Sequence, residues 1–257
     1  MEEKRQFPRI SLVIPAQNEA QNLQYVLPRI PPIISEVILV DGYSTDDTIA
    51  VAQHLLPSIR IVKQIGKGKG DALRAGFAVC TGEIIVMLDA DVSTDPAEIP
   101  GFIDALLGGS DFAKGSRFIL GGGSHDITVL RLLGNDGLCS LTNLLFGTRF
   151  TDLCYGYNAF WKRCLDNIEI DCDGFEVETL ISLRMHKNKL KIVEVPSLEH
   201  KRMYGQSNLH TFRDGWRVLK TILRERIRPV SPLLLPPYPA TSFNINERSS
   251  TSEEIVL

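Results

Sequence analysis

Gly82-Glu83-Ile84-Ile85-Val86-Met87-Leu88-Asp89-Ala90-Asp91 is the stretch of the chain that decides the fold. Its apolar residues, from position 84 to position 88, follow one another without interruption and then give way to two carboxylates. An unbroken apolar run of this length predicts a strand that is buried on both faces, in the middle of a parallel sheet. Ligands of open α/β sheets bind beyond the carboxyl ends of the strands, which is where Asp89 and Asp91 fall.

The spacing of these two aspartates suits a divalent cation. Residues two apart in a strand point to the same side, so Asp89 and Asp91 are expected to face one ligand. Mg²⁺ and Mn²⁺ prefer oxygen ligands and use one or two carboxylates together with substrate phosphates. The alternative is an acidic surface loop ahead of the helix that Ser93-Thr94-Asp95-Pro96 begins. We favour the metal site, because more carboxylates follow the neighbouring strands.

Strands and helices alternate regularly through the first half of the chain. The predicted strands are 10–14, 36–40 and 59–62, and the predicted helices are 19–27, 49–56 and 71–79. This alternation predicts an α/β fold, with a doubly wound, mostly parallel sheet and helices on both faces. It also places Glu19 after the first strand and Asp41 after the second, on the same rim as Asp89 and Asp91.

The second half of the chain is less regular. It is predicted to contain strands at 111–117, 155–161 and 190–195 and helices at 97–107, 129–146, 175–186 and 209–227. The leucine-rich segment 129–146 is predicted either to pack in the core or to lie against lipid. From residue 229 to residue 257, proline and then serine, threonine, asparagine and glutamate dominate, which predicts a disordered tail. We therefore expect one domain over residues 1–228.

Composition excludes several classes of protein. A net charge of −3 over 257 residues argues against a nucleic-acid binder, which normally presents a basic face. The five cysteines form no Cys-x-x-Cys pair, which favours a reducing compartment over a disulfide scaffold or a zinc site. The N-terminus lacks the layout of a signal peptide, and no apolar run reaches the roughly 18 residues of a membrane span. These features predict a cytoplasmic protein.

Glycine-rich phosphate-binding motifs are missing or altered. No Gly-x-Gly-x-x-Gly follows the first strand, which argues against a dinucleotide cofactor. Gly66-Lys67-Gly68-Lys69-Gly70 does not have the spacing of a Walker motif. It is either a mobile surface loop or a flexible basic loop that closes over a nucleotide.

Five motifs occur in order along the chain: Pro15-Ala16-Gln17-Asn18-Glu19, Asp41 with Ser44-Thr45-Asp46-Asp47-Thr48, Gly68-Lys69-Gly70, Asp89-Ala90-Asp91 and Gly115-Ser116-Arg117. As an ordered set they resemble the family 2 glycosyltransferases of the GT-A fold, and most of all the dolichyl-phosphate mannose synthases and related polyprenyl-phosphate sugar transferases. The likeness covers about residues 8–228, with a nucleotide-binding half at about 8–117 and an acceptor-side half at about 118–228.

The resemblance implies a donor that is a GDP- or UDP-linked sugar. Residues around the base, ribose and diphosphate would be Pro15, Gln17, Glu19, Asp41, Lys69, Asp89, Ala90, Asp91, Arg117 and Arg202. Asp89 and Asp91 would hold the diphosphate through Mg²⁺ or Mn²⁺, with Arg117 and Arg202 beside it and Asp91 as a catalytic residue. His200 is either a third metal ligand, a phosphate contact or a structural residue. No covalent nucleophile is evident, so transfer is expected to invert the anomeric carbon, as in the family.

The acceptor stays open, because the chain departs from the family pattern. Asn158 and Asn208 stand where the family usually has cations, which weakens the case for a polyprenyl or dolichyl phosphate at the membrane face. A hydroxyl acceptor would need a general base, and Glu176, ahead of Glu178, is our candidate. Gly42-Tyr43 replaces an Asp-Gly pair. A nucleotide-sugar-binding protein without activity and a nucleotidyltransferase are the alternatives from other classes.

Overall fold

The computed structural model describes residues 7–229. The segment 230–257, which makes up all but the first residue of the predicted disordered tail, lies outside the described residues. Within the described part of the chain, no helix combines the length and the apolar character that are needed to cross a membrane.

A central sheet organises the described residues. Its strand order is β3-β2-β1-β4-β7-β5-β8, and β6 and β9 form a separate parallel pair. The strands are β1 (Ile10–Ala16), β2 (Glu36–Asp41), β3 (Arg60–Lys63), β4 (Ile84–Met87), β5 (Phe112–Ser116), β6 (Gly123–Ser124), β7 (Asn158–Trp161), β8 (Ile192–Pro196) and β9 (Leu198–Glu199). All neighbouring pairs in the central sheet are parallel except β4–β7 and β5–β7. The sheet is therefore mostly parallel, as predicted.

The helices also agree with the predicted segments. They are α1 (Ala20–Val26), α2 (Thr48–Leu55), α3 (Lys69–Val79), α4 (Ile99–Leu107), α5 (Val129–Phe146), α6 (Val177–Lys187) and α7 (Thr211–Ile227). The largest difference among the helix starts of the first half is at α3, which begins at Lys69, two residues before the predicted start. This shift matters, because it brings Lys69 into the first turn of a helix at the edge of the sheet.

Both faces of the sheet are covered. Leu12, Val13 and Ile14 are consecutive residues of β1, and all three are fully buried. Since successive side chains of a strand point to opposite faces, complete burial of all three requires layers on both sides. On one side α3 comes very close, because a Cβ on Gly76 would lie 2.5 Å from Val13 Cγ1 and 3.0 Å from Val40 Cγ2. Only glycine allows this approach.

The structure corrects one part of the sequence analysis of the Asp89-Ala90-Asp91 motif. β4 ends at Met87, so Asp89 and Asp91 lie in the loop that follows and not in the strand itself. Val92 continues this loop in the left-handed region, with φ of 67°. The alternation of side chains in a strand therefore does not apply to the two aspartates. They contact different cations, as described below.

Helix α5 packs on the protein through one face, as one of the two alternatives for the leucine-rich segment predicts, whereas contact with lipid stays a prediction. Its inward face buries Asn135, Cys139 and Thr142, and Cys139 belongs to a small core shared with α6 and α7. Its outward face leaves Leu133 and Leu144 exposed by 64% and 82%. One face is thus packed on the protein, and the other is apolar and open.

Candidate active site

The carboxyl ends of β1, β2 and β4 bring four predicted carboxylates to one edge of the sheet. Glu19 directly precedes α1, Asp41 ends β2, and Asp89 and Asp91 follow β4. β1 lies between β2 and β4 in the sheet, so the loops after these three strands are adjacent. The sheet order therefore explains why residues far apart in sequence meet here.

Arg202 links two of these carboxylates. Its Nη1 donates to Glu19 Oε1 at 2.9 Å, and its Nη2 lies 3.1 Å from Asp91 Oδ2. Burial raises the pKa of Glu19, and the hydrogen bond from Asn22 and the charge of Arg202 offset this rise only in part. The segment after β9 thus returns to the first half of the chain and closes one side of the site.

Lys69 neutralises the other aspartate. Its Nζ lies 2.5 Å from Asp89 Oδ1 and 2.7 Å from Glu178 Oε1, and its side chain is only 10% exposed. Burial lowers the pKa of Lys69, but the two carboxylates outweigh burial and hold the pKa above its ordinary value. Lys69 therefore stays charged at neutral pH and forms an ion pair with Asp89.

The glycine-rich run 66–70 is held in place by the backbone of residues 172–174. A Cβ on Gly68 would lie 2.2 Å from the Asp173 carbonyl oxygen, and a Cβ on Gly70 would lie 2.3 Å from the Cys172 carbonyl oxygen. The Gly70 amide also donates to the Asp173 carbonyl at 2.9 Å. The end of this run, Lys69 and Gly70, forms the first turn of α3 and presents Lys69 to the site, whereas closure of the run over a nucleotide stays a prediction.

A further glycine that the sequence analysis did not single out completes the Lys69 cluster. A Cβ on Gly156 would lie 2.5 Å from Lys69 Nζ, 2.8 Å from Asp89 Oδ2 and 3.3 Å from Glu178 Oε1. Position 156 therefore borders the ion cluster directly. The cluster has no room for a side chain there.

The predicted base and ribose residues line the adjacent part of the edge. Asp41 is buried, and its Oδ1 accepts from the Ser44 amide at 3.2 Å. Gln17 is exposed, and its Oε1 accepts from Asn208 Nδ2 at 3.4 Å. Pro15 lies near the end of β1, and Ala90 is buried between the two aspartates of its motif.

Arg117 has a different position from the one expected. Its Nε donates to Asp152 Oδ2 at 2.7 Å, its Nη2 to Asp152 Oδ1 at 3.0 Å, and its Nη1 to Glu199 at 3.0 Å. The side chain is 9% exposed and that of Asp152 is fully buried. The guanidinium is therefore already taken up by two protein carboxylates, which contradicts the expectation of a cation that is free to meet a diphosphate.

His200 does not complete a metal cage with the aspartates. Among residues 7–229, no three histidine, cysteine, aspartate or glutamate side chains gather in a way that would hold a metal ion. The His200 amide donates to the Ser93 carbonyl at 2.8 Å, and the His200 ring lies 5.8 Å from the ring of His125. His200 thus contacts the loop of the aspartates through its backbone.

Glu176 and Glu178 lie in different surroundings. Glu178 contacts Lys69, although Glu176 lies nearer the start of α6. Glu176 is 8% exposed; its Oε1 accepts from the Gly174 amide at 3.3 Å, and its Oε2 is buried without a hydrogen-bond partner among the described residues. The helical phase of α6, which the sequence alone could not supply, decides which of them reaches Lys69.

Comparisons with known proteins agree with this architecture. A family model described as Glycosyl transferase family 2 matches residues 11–168, more than half of the chain. The dolichol-phosphate mannosyltransferase of Pyrococcus furiosus is 30% identical over 210 residues, which cover 78% of this chain and 59% of that protein. The polyprenol monophosphomannose synthase of Mycolicibacterium smegmatis is 29% identical over 214 residues, which cover 78% of this chain and 81% of that protein.

Solved structures show the same fold. Glucosyl-3-phosphoglycerate synthase from Mycobacterium tuberculosis, crystallised with Mn²⁺, uridine diphosphate and phosphoglyceric acid, is similar with a TM-score of 0.68 and 23% identity. The match covers 87% of this chain and 80% of that one. The ordered motifs, the mostly parallel sheet and these similarities lead to one conclusion: the chain belongs to glycosyl transferase family 2 and has the GT-A fold.

Proposed function

We propose that the protein transfers a sugar from a GDP- or UDP-linked donor to an acceptor, with inversion at the anomeric carbon. The observation that carries this proposal is the pair of aspartates that follow β4, each held by its own cation: Asp89 by Lys69 and Asp91 by Arg202. At this edge of the sheet, the cations can contact the phosphate oxygens of a diphosphate, and the carboxylates can bind the metal ion that accompanies it.

The residues fit a divalent metal ion. Asp89 and Asp91 are partly exposed, by 28% and 19% of their side chains, and both offer hard oxygen ligands. Two carboxylates are sufficient where substrate phosphates supply further ligands. A bound Mg²⁺ or Mn²⁺ would add positive charge where the leaving diphosphate develops negative charge.

Arg202 and Lys69 are the cations that we assign to the donor phosphates. The Nε of Arg202 is buried without a hydrogen-bond partner among residues 7–229, so protein acceptors do not match this guanidinium completely. Nη1 contacts Glu19 and Nη2 contacts Asp91. A phosphate oxygen of the donor would compete with these carboxylates for the two nitrogens. The contrast with Arg117 supports the assignment of Arg202, because every nitrogen of Arg117 that is named above already has a carboxylate. Lys69 is assigned through Asp89, which it contacts.

The acceptor decides whether a general base is needed. A hydroxyl acceptor loses a proton during attack, and a phosphate acceptor arrives ionised. For a hydroxyl we propose Glu176, whose Oε2 has no partner among the described residues, rather than Glu178, which is engaged by Lys69. Replacement of Glu176 by glutamine should then abolish transfer to a hydroxyl and leave donor binding intact; full activity on a hydroxyl acceptor would exclude this role.

A lipid-linked acceptor is the alternative that we favour, because two relatives carry dolichol phosphate or polyprenol in their names and because α7 suits a membrane surface. Phe212, Trp216, Leu223 and Ile227 are exposed by 80%, 56%, 50% and 84%. At 100° per residue these positions fall within one narrow stripe of the helix. The stripe therefore offers a continuous apolar face to the headgroup region.

The charges of α7 fit the same partner. Its two carboxylates, Asp214 and Glu225, are buried, whereas Arg213 and Arg217 are exposed by 59% and 48% of their side chains. A helix whose exposed face combines aromatic residues with cations is attracted to anionic lipid. We propose that the protein contacts the cytoplasmic face of a membrane through α7, so that a lipid acceptor reaches the site without leaving the bilayer.

Thermal unfolding tests the donor. A ligand that binds only the folded state raises the midpoint by mass action. With Mn²⁺ present, we expect one series of UDP- or GDP-sugars to raise the midpoint, and we expect chelator or Asp91→Asn to remove the shift. No shift with any nucleotide sugar would contradict the proposal. A donor that binds but is not turned over with any acceptor would instead favour the binding protein without activity.

Tryptophan fluorescence tests the membrane surface. Trp161 is 8% exposed in the core and Trp216 is 56% exposed on α7, so a blue shift on addition of vesicles reports α7. We expect the shift with vesicles that contain phosphatidylglycerol and its loss in the Phe212→Ser variant. Leu120→Ser is the matched control, because Leu120 is 99% exposed and lies outside both α5 and α7. Equal binding by the two variants would exclude α7 as the contact.

A further inference from the structure

Tyr43 has a backbone conformation that is unfavourable for its side chain. Its φ is 62°, in the left-handed region that glycine adopts without cost, and its side chain is 55% exposed. An exposed tyrosine in a left-handed conformation costs of order 1–3 kcal/mol, and strain of this kind is concentrated at binding sites.

The loop that carries Tyr43 is firmly attached to its neighbours. The Asn18 amide donates to Ser44 Oγ at 2.9 Å, and the Thr45 amide donates to Asn18 Oδ1 at 2.7 Å. The Tyr43 hydroxyl itself donates to the carbonyl oxygen of Ile65, in the loop after β3, at 2.8 Å. The aromatic ring is therefore fixed at both ends, although more than half of the residue is exposed.

The position of the ring relates it to the donor site. Tyr43 follows Asp41 by two residues, beyond the carboxyl end of β2. Gly42, between them, is buried, and a Cβ there would lie 3.4 Å from Gln17 Cβ and 3.2 Å from Gln64 Oε1. Asp41 and Gln17 are the residues to which we assign the base and ribose. Tyr43 thus lies in the loop next to the residues to which we assign the base and ribose.

We propose that Tyr43 is a platform on which the nucleobase of the donor stacks. This inference rests on the proposed function, because it assumes a nucleoside-diphosphate donor. Stacking on an aromatic ring is worth enough to change affinity by roughly tenfold or more for one base, and it works with purines and pyrimidines alike. A ring that is held before the ligand arrives loses no further rotamer freedom on binding.

A structural role for the tyrosine makes different predictions. If the hydroxyl only ties the loops after β2 and β3 together, its hydrogen bond to Ile65 is the feature that matters. Tyr43→Phe keeps the ring and removes this bond. Tyr43→Leu keeps bulk without an aromatic face, and Tyr43→Gly removes the whole side chain and relieves the backbone.

The test is titration calorimetry with a nucleoside diphosphate and with pyrophosphate, both in the presence of Mn²⁺. We expect Tyr43→Phe to bind the nucleotide nearly as the wild type does, and we expect Tyr43→Leu and Tyr43→Gly to bind it roughly tenfold more weakly. Affinity for pyrophosphate should stay unchanged in all three, because it has no base. Tyr43→Gly should unfold at no lower temperature than the wild type.

Lys189 supplies the matched control, because it has φ of 56° beyond the end of α6, away from β2. Lys189→Gly relieves the same kind of strain and should leave nucleotide affinity unchanged. Wild-type affinity in Tyr43→Gly and Tyr43→Leu would overturn the stacking proposal and leave the proposed donor intact. Equal losses in Tyr43→Phe and Tyr43→Gly would show that the hydrogen bond carries the effect. A wild-type protein that binds no nucleoside diphosphate would overturn both proposals.

Discussion

Arg117 and Arg202 each bridge two carboxylates, yet their surroundings differ. Arg117 follows β5 directly, is 9% exposed and donates through three nitrogens to Asp152 and Glu199. Arg202 lies in an irregular segment, is 19% exposed and keeps its Nε without a partner among the described residues. The first arginine holds the fold together, whereas the second leaves hydrogen-bonding capacity for a ligand.

The difference shows that a bridge between an arginine and two carboxylates can serve either stability or ligand binding. A buried bridge whose donors are all matched to carboxylates loses much when one partner is removed, because the others stay buried and charged. In a bridge at the edge of a site, a phosphate oxygen can take the place of a partly exposed carboxylate such as Asp91. Variants of the two arginines should therefore separate stability from activity.

The largest effect is expected from Arg117→Ala. The change leaves Asp152, which is fully buried, without its cation, and we expect a loss of about 3–5 kcal/mol in the free energy of unfolding. Urea denaturation measures it. The control is Arg29→Ala, whose partner is Asp95 and whose side chain is 51% exposed; an exposed pair contributes about 0–1 kcal/mol. Equal losses in the two variants would contradict the structural role of Arg117.

Arg202→Ala should affect the reaction more than the fold. Loss of one group that stabilises charge in the transition state lowers turnover by about 100-fold or more. We expect this drop in kcat/KM for sugar transfer, with a much smaller loss of stability than in Arg117→Ala. Steady-state kinetics and urea denaturation of Arg117→Ala and Arg202→Ala measure the two effects. If both arginines changed stability alone, the donor assignment of Arg202 would be wrong.

Gly156→Ala tests the cluster of Lys69 that lies opposite Arg202. The new methyl group would meet Lys69 Nζ and Asp89 Oδ2, so one of them must move. We expect an overpacking cost of about 1–3 kcal/mol and weaker binding of the nucleotide sugar. Gly101→Ala is the control, because a Cβ there has nothing within 4 Å and alanine favours the helix. Unchanged donor affinity in Gly156→Ala would remove this cluster from the site.

The smallest effect concerns pH. Burial raises the pKa of Glu19 above its ordinary value of 4.5, so the folded state binds the proton more tightly than the unfolded state. The contribution of Glu19 to stability should therefore fall as pH rises from 4.5 through the raised pKa, and stay constant above it.

Arg202→Ala sharpens this test, because it removes the charge that now counteracts the effect of burial. The decline in stability should then continue to a higher pH. It should also become larger, by at most about 1.4 kcal/mol for each further unit by which the pKa of Glu19 rises. Unfolding in urea across the pH range measures it, with Glu19→Gln as the variant in which the decline is absent. A decline that persisted in Glu19→Gln would belong to another group.

Sequence reasoning predicted much of the fold, because the elements that define it are local. The apolar runs at β1, β2 and β4 and the caps between them are legible without tertiary information. The antiparallel insertion of β7 between β4 and β5 is not, since strand order depends on pairings between distant segments. The same holds for the loop after β4, where only the structure shows that the strand ends before Asp89.

The site was predicted less completely than the fold. Motifs identified Asp89 and Asp91, but they could not distinguish Arg117 from Arg202, because a motif does not record which carboxylates fold around a cation. Which of Glu176 and Glu178 contacts Lys69 depends on the rotation of α6 about its axis. Gly156 gave no signal of its own, since its role follows from what its missing side chain would touch.

The place of β7 also has a consequence for synthesis on the ribosome. β5 pairs with β7 and β8, both of which come later in the chain, and β4 has β7 as its outer neighbour. A nascent chain that has emerged only as far as β5 therefore has a β4 edge open to solvent and a β5 with neither partner. β4 gains its outer neighbour only after β7 (Asn158–Trp161) has left the ribosomal exit tunnel. Until then, the open edge of β4 and both edges of β5 are exposed to wrong pairing.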